Sequence, residues 1–252
     1  MNPQTKKRNY AVYIIILIIL LVIIKISTDN STTGDNSIIA DFARKHDLKL
    51  SQWPDHLIEL LEKNPETEDF VLNYPIKKDL RPDIDLREFI HRSEVPLFLQ
   101  WDERWGYRKY GDALIGLSGC GPTCLSMVCV YLLDDPQYSP RYVADFAEQN
   151  GYYVSGIGSS WTLISEGGAA LGLDVTEIPL DENRIIRNLE VGNPIICVMG
   201  PGDFTTTGHF IVMVGYEDGK IKVNDPNSPA RSDKLWDYNA IKNQINNLWV
   251  CR

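Results

Sequence analysis

The stretch Leu117–Val130, LSGCGPTCLSMVCV, sets a cysteine between two glycines directly before an apolar run. Gly119 or the serine before it can cap a helix, and Pro122 suits the first helical turn, where no amide donor is needed. The pattern therefore predicts a central helix from Gly119 to Leu133, with Cys120 at the positive end of its macrodipole. Four roles are open to this cysteine: a small core residue, a metal ligand, half of a disulfide, or a nucleophile.

The surroundings of Cys120 favour the nucleophile. A thiolate at a helix N-terminus is stabilised, so the pKa of such a cysteine can fall well below about 8.5. We expect Gly119 and Gly121 to keep the site open to a substrate backbone and to leave N–H groups available for an oxyanion. A zinc site needs about four ligands, and no histidine pair follows this cysteine.

The other cysteines favour different roles. Cys124, Cys129 and Cys197 lie in apolar stretches, where free cysteine is usually a core residue. The pair Cys120/Cys124 is one helical turn apart, a geometry that rarely suits a disulfide. With Cys251 the total is five, and outside the cytoplasm an odd count leaves at least one thiol free.

A nucleophilic cysteine needs a base, and the chain has four histidines. His46, His56 and His91 stand in polar helical contexts before Cys120, and we expect them on the surface. His209 opens the strand HFIVMVGY just after a small-residue loop, so it is expected to face a cleft. Alone it would be read as structural, but the presence of Cys120 favours a catalytic role.

Asp225 is the candidate that orients His209. A three-residue loop, Glu217 to Gly219, would pair Tyr216 with Lys220 and place His209 and Asp225 as neighbours on one strand face. A two-residue Asp-Gly turn would put them on opposite faces, so the carboxylate role depends on this loop. The alternative is that NDPN, which contains Asp225, is only a turn.

The order of elements indicates an α+β fold. The central helix is followed by predicted helices over 140–149, 160–171 and 181–190, the first two ended by glycines. Three strands then follow over 194–199, 209–216 and 220–225, and helices followed by antiparallel strands are typical of α+β proteins. Residues 38–94 form a helical preface, with a helix between Pro54 and Pro65, and 95–252 form the main domain.

The first 27 residues predict a membrane anchor. Lys6, Lys7 and Arg8 precede an apolar run from Tyr10 to Ile24, and no small-residue cleavage site follows it. An uncleaved signal anchor is therefore favoured over a cleaved signal peptide, with a polar linker over 28–37. By the positive-inside rule the remainder lies outside a single-pass cell membrane anchor.

The charge argues against nucleic acid as a partner. The formal net charge is −9, and since the anchor carries four cations and no acid, residues 28–252 carry −13. An acidic exterior repels phosphate backbones. Neither a metal nor a cofactor is implied by the sequence.

Four motifs in order, VPLFLQWDERWG, GCGPTCLSM, GHFIVMVGY and NDPN, resemble the bacteriocin-processing cysteine peptidases of the papain-like superfamily. The resemblance is stronger to their stand-alone extracellular relatives, which are not fused to a transporter, and it covers about residues 95–250. The preface is similar to the segment that precedes such domains in bacterial surface proteins.

The resemblance implies a papain-like fold and a residue set for peptide hydrolysis through a thioester. In that set Cys120 is the nucleophile, His209 the general base and acid, and Asp225 its orienting partner. Gln100 matches the glutamine that donates its side-chain amide to the oxyanion, although it precedes Cys120 by a wider gap than in papain. Its alternative is a polar residue at a strand end.

Two other functions are compatible with the same residues. The first is an amidase or acyltransferase acting on cell-wall peptides, with the same fold and a different substrate. The second is a surface module that binds peptides in the cleft without turnover. Candidates for every catalytic role are present, which favours an enzyme with a peptide or protein substrate.

Overall fold

A computed structural model describes residues 37–252, so the predicted anchor and most of the linker lie outside the described residues. The chain divides into two compact units, one up to Pro75 and one from Ile76 to Arg252. Within the part that the structure describes, no helix has the length and apolar character needed to cross a membrane.

The described part of the first unit is helical. Its helices are α1 (37–45), α2 (Asp55–Lys63) and α3 (Glu68–Lys77), the last running past the division. α2 begins after Pro54 and ends before Asn64, as the sequence predicts. Leu57 and Leu61, one turn apart, are buried, and the indole N–H of Trp53 donates to the Val71 carbonyl at 2.8 Å.

The second unit combines a six-stranded antiparallel sheet with helices. Its helices are α4 (Ile115–Ser118), α5 (Cys120–Leu133), α6 (Pro140–Gln149), α7 (Gly168–Ala170), α8 (Glu182–Glu190), α9 (Pro229–Ser232) and α10 (Tyr238–Ile241). Its strands are β1 (Lys109–Tyr110), β2 (Ala113–Leu114), β3 (Tyr153–Val154), β4 (Gly158–Ser159), β5 (Val175–Glu177), β6 (Ile195–Met199), β7 (His209–Glu217), β8 (Lys220–Asn224), β9 (Leu235–Trp236) and β10 (Ile245–Cys251).

The strand order of the large sheet is β5-β10-β6-β7-β8-β9, and the remaining four strands form two short ribbons. One buried cluster lies between α5, α6 and the sheet, and includes Leu125, Val128, Val198 and Val212. A second cluster joins α8 and α10 to alternate sheet residues such as Ile211. The predicted α+β architecture is therefore confirmed, with α5 covered on nearly all sides.

Some elements differ from the sequence predictions. The sheet has six strands where three were expected, because β5, β9 and β10 add to it. The helix expected over 160–171 is wound as a π-helical segment, Leu163–Gly167, followed by the short α7. Gly151 and Gly172 end their helices at φ +77° and +108°, in the left-handed region that glycine tolerates.

Candidate active site

Cys120 is the first residue of α5, at the helix start that the sequence predicts. Gly119 is the N-cap, and Cys120 is half-buried. The first N–H groups of a helix have no carbonyl partner within the helix, and they carry the positive end of its dipole. The backbone N–H of Cys120 is one of these groups, so sulfur and amide donor lie together at the helix start.

The glycines around Cys120 serve internal packing, which corrects the expectation that they keep the site open. A Cβ at Gly119 would lie 2.5 Å from the Ile115 carbonyl oxygen, and one at Gly121 would lie 2.6 Å from the Ser159 hydroxyl. Ser159 in turn shares a 2.8 Å hydrogen bond with Tyr110, which is fully buried. The loop before Trp161 therefore packs against the start of α5, beside the thiol.

His209 and Asp225 form a buried pair. Nε2 of His209 lies 2.7 Å from Oδ1 of Asp225, and their exposed side-chain fractions are 8% and 0%. With Nε2 occupied by the carboxylate, Nδ1 remains for the hydrogen bond that joins His209 to Cys120. The same Oδ1 accepts from the Asn227 N–H at 2.8 Å. The structure thus brings three of the four predicted residues into one hydrogen-bonded series.

The hairpin between β7 and β8 brings His209 and Asp225 together through a turn that the sequence analysis did not predict. Glu217 pairs with Lys220, so the loop is a two-residue turn, not the expected three-residue loop. Asp218 and Gly219 have φ of +51° and +75°, as a type I′ turn requires. The prediction that Tyr216 pairs with Lys220 was therefore wrong, because Tyr216 pairs with Ile221.

A β-bulge restores the register that the two-residue turn would lose. The pairing shifts between Met213 and Gly215, which leaves Val214 as the extra residue. Beyond the bulge Val212 pairs with Asn224, the last pair of this ladder, and Asp225 follows directly on the face that contacts His209. One turn residue fewer and one bulge residue more cancel, because side chains alternate faces with a period of two.

Burial and charge act in opposite directions on the three groups. Burial alone raises the pKa of Cys120, but the hydrogen bond and charge of His209, with backbone groups of Phe210 and Gly121, outweigh it and lower the pKa. Burial lowers the pKa of His209, and Asp225 and Cys120 overcome it and raise the pKa above its ordinary value. Both shifts favour a thiolate–imidazolium pair at neutral pH.

Gln100 is buried beside the segment that follows Asp225. Its backbone N–H donates to the Pro226 carbonyl at 2.7 Å, and its Nε2 donates to the Gly116 carbonyl at 3.0 Å. Oε1 finds no hydrogen-bond partner among residues 37–252. Since an amide nitrogen carries two hydrogens, the bond to Gly116 commits one and leaves the second for another acceptor. The stretch around it, Val95–Gln100, lies outside the sheet.

Cys124, Cys129 and Cys197 lie in the core and the early histidines on the surface, as the sequence predicts, and Cys251 is also buried. Burial raises the pKa of the thiols of Cys124, Cys129, Cys197 and Cys251, so each stays protonated and buried in the core. All five cysteines lie in the described part of the chain and are free. The three histidines before Cys120 are exposed: His46, His56 and His91. Within residues 37–252 no three His, Cys, Asp or Glu side chains are grouped so that they could hold a metal ion.

Sequence reasoning missed Arg231. Its Nε donates to Oδ2 of Asp225 at 2.5 Å, so the carboxylate is held from both sides. The available signal was local: Ser228 followed by proline is a helix-start pattern, and it sets an arginine six residues after Asp225. Sequence spacing alone could not show that this short helix turns back toward the carboxylate.

An α+β fold with a thiol at a helix start, a histidine at a strand start and a buried carboxylate defines a site of the papain type. Residues 92–251 match the model of the Peptidase_C39 like family, and the chain belongs to that family. The resemblance read from the four motifs is therefore confirmed. Family membership supports a function of cysteine peptidase type.

Two solved structures are similar to the chain. The peptidase domain of Streptococcus ComA, a bi-functional ABC transporter involved in a quorum sensing pathway, is 19% identical, with a TM-score of 0.39. The match covers 53% of this chain and 89% of that one. A chain described as a C39-like peptidase from Bacillus anthracis is 14% identical, with a TM-score of 0.41, and the match covers 65% and 96%. No curated protein matches the sequence.

Proposed function

We propose that this protein is a membrane-anchored extracellular cysteine peptidase that hydrolyses peptide bonds through a thioester on Cys120. The hydrogen-bonded series from Cys120 through His209 to Asp225 carries the proposal, because three separate elements supply it. A buried carboxylate is stable beside an imidazolium, and an imidazolium stabilises a thiolate. This is the charge distribution that a cysteine nucleophile needs before substrate arrives.

The first half of the reaction uses the thiolate and both donors of the site. Sγ of Cys120 attacks the peptide carbonyl carbon, and the carbonyl oxygen becomes an oxyanion. The backbone N–H of Cys120 and the second amide hydrogen of Gln100 are the proposed donors to it. When the tetrahedral intermediate collapses, His209 gives its Nδ1 proton to the leaving amine and the acyl group remains as a thioester.

The second half reverses the proton flow. Neutral His209 takes a proton from water as the water attacks the thioester carbonyl, and the acid product leaves as the thiolate re-forms. Asp225 keeps Nε2 of the imidazole bonded throughout, so Nδ1 faces the sulfur in both halves. The carboxylate does not change protonation state, because burial, which raises its pKa, is outweighed by His209 and Arg231, which hold the pKa below the ordinary value.

Thiol reactivity gives the first test. Purified full-length protein is treated with iodoacetamide at pH 6 and the label is mapped by mass spectrometry. We expect the label at Cys120, since it is the cysteine whose pKa is lowered, and we expect almost none in a His209→Ala variant. Main labelling at Cys124 or Cys197, which are buried with raised pKa, would refute the assignment.

Turnover and topology need separate tests. A peptide library incubated with the wild type and with Cys120→Ala should show new termini only with the wild type. Release of amide groups or cell-wall cross-links without internal peptide cleavage would replace the peptidase by the amidase function. Protease added to intact cells should digest residues 95–252, and protection of this region would refute the extracellular location.

A further inference from the structure

The carboxylate of Asp225 has two cationic neighbours. Oδ1 faces His209, and Oδ2 accepts from Nε of Arg231 at 2.5 Å. Asp225 is fully buried, and 27% of the Arg231 side chain is exposed. The reaction proposed above requires only His209, so the arginine needs its own explanation.

The segment after β8 folds back and places Arg231 beside the Asp225 carboxylate. Ser228 caps α9 by accepting from the Arg231 N–H at 3.1 Å, and Nε1 of Trp236 donates to the Arg231 carbonyl at 3.0 Å. Ser232 accepts from the Asp225 N–H at 2.9 Å and closes the loop on itself. The backbone N–H and C=O of Arg231 are thus both hydrogen-bonded, which fixes the position from which its side chain extends.

We propose that Arg231 is a positioning residue of the active site, which fixes the Asp225 carboxylate against His209 and offsets part of its charge. The proposal rests on the proposed function, since it assigns the pair a catalytic orientation. A carboxylate bonded at one oxygen can rotate about its χ2 angle, whereas one bonded at both oxygens by separate donors cannot do so without breaking a bond.

The charge has a second effect, on the basicity of His209. The titratable groups that face His209 are Cys120 at the start of α5 and Asp225 after β8. Asp225 is faced in turn by Arg231 of α9 and by the thiol of Cys124. A cation behind the carboxylate weakens the negative potential at the imidazole, so Arg231 keeps the pKa of His209 lower than Asp225 alone would set it.

The size of this effect can be worked out. Two cations on either side of one carboxylate lie roughly 6 Å apart. With an effective dielectric constant of roughly 40 for a partly exposed arginine, their repulsion corresponds to about one pKa unit. A role in packing alone would lower stability and would not raise the pKa of His209.

The test is an NMR titration of the His209 ring in full-length protein carrying Cys120→Ala, which removes the contribution of the thiolate. Three further variants are compared in this background. Arg231→Gln keeps a donor and removes the charge, and Arg231→Lys keeps the charge. Arg141→Gln is the matched control, because Nε of Arg141 bonds Asp145 at 2.7 Å and 35% of the side chain is exposed, remote from the site in sequence.

We expect Arg231→Gln to raise the pKa of His209 by about one unit, and Arg231→Lys and Arg141→Gln to leave it within about 0.3 units. An unchanged or lowered pKa in Arg231→Gln overturns the proposal, as does a shift of equal size in Arg231→Lys. If Arg231→Gln does not fold, the pKa of His209 is compared between Arg231→Lys, which keeps the charge, and Arg231→Met, which removes it, and the higher pKa is expected in Arg231→Met. The titration needs no turnover, so its failure is distinguishable from absence of peptidase activity.

Discussion

Replacing Asp225 by alanine should destabilise the protein substantially, as well as inactivate it. The carboxylate accepts three hydrogen bonds, from His209, from the Asn227 N–H and from Arg231, and none of its surface is exposed. Removing one partner of a buried ion pair costs about 3–5 kcal/mol. Because Arg231 is partly exposed and can regain water, we expect the lower end, about 3 kcal/mol.

The assay is urea unfolding at pH 7, followed by tryptophan fluorescence. Five of the six tryptophans lie beyond Pro75, so the signal reports the unit that contains the site. With m for urea of about 1–3 kcal/mol/M, a loss of about 3 kcal/mol shifts the midpoint by at least about 1 M. Asp145→Ala is the control, because its ion pair with Arg141 is more than a third exposed on both sides and should contribute less than about 1 kcal/mol.

Asp225→Asn removes the negative charge of this side chain and keeps its shape. Its oxygen can still accept from His209 and Asn227, while its NH₂ group meets the donor of Arg231. We expect a stability between those of the wild type and Asp225→Ala. A loss below about 1 kcal/mol for Asp225→Ala, at unchanged m, would show that the buried contacts do not stabilise the fold and would refute this reasoning.

Three further outcomes are expected. His209→Ala should slow iodoacetamide alkylation of Cys120 at pH 7, because the lowered thiol pKa rises when the imidazolium is lost, and the difference in rate should shrink as the pH is raised; equal rates at pH 7 contradict the pair. Gly121→Ala should cost about 1–3 kcal/mol in urea unfolding, since its Cβ would lie 2.6 Å from the Ser159 hydroxyl. Ser159→Gly should cost less in the Gly121→Ala background than in the wild type, because it removes the clash as well as the hydrogen bond to Tyr110; equal costs in both backgrounds contradict the clash. Gln100→Ala should lower kcat about 10²–10³-fold on a peptide substrate. Alkylation of Cys120 by iodoacetamide forms no oxyanion, so its rate should stay near that of the wild type. An equal fall in kcat and in the alkylation rate indicates a structural role for Gln100.

The parts of the site that the sequence could predict depend on local signals. A capped helix start and a small-residue loop before a strand are each encoded within a few residues. They suffice to place Cys120 at the start of α5 and His209 at the start of β7. The expectation that His209 and Asp225 lie on one face also holds, but only because the bulge at Val214 offsets the turn that was assigned wrongly.

The parts that could not be predicted depend on contacts between distant segments. Arg231 reaches Asp225 because Trp236 and Ser228 fix its backbone, and no periodicity in the sequence encodes that. The glycine at 121 was explained by substrate access, whereas its physical cause is Ser159, 38 positions away in the chain. β10 was missed because its role as a strand is set by pairing with β6 and β5.

The bulge at Val214 has a consequence for tolerated changes in chain length. Val214 has no partner in β8, so deleting it would close the bulge and leave Met213 opposite Val223 and Gly215 opposite Lys222. A residue added between Asp218 and Gly219 would lengthen the turn beyond the pair Glu217–Lys220, and the ladder would again keep its pairs. Related chains could therefore lose the bulge residue or lengthen the turn and retain the site, whereas sliding β8 past β7 by one residue would turn Asp225 away from His209 without changing a catalytic side chain.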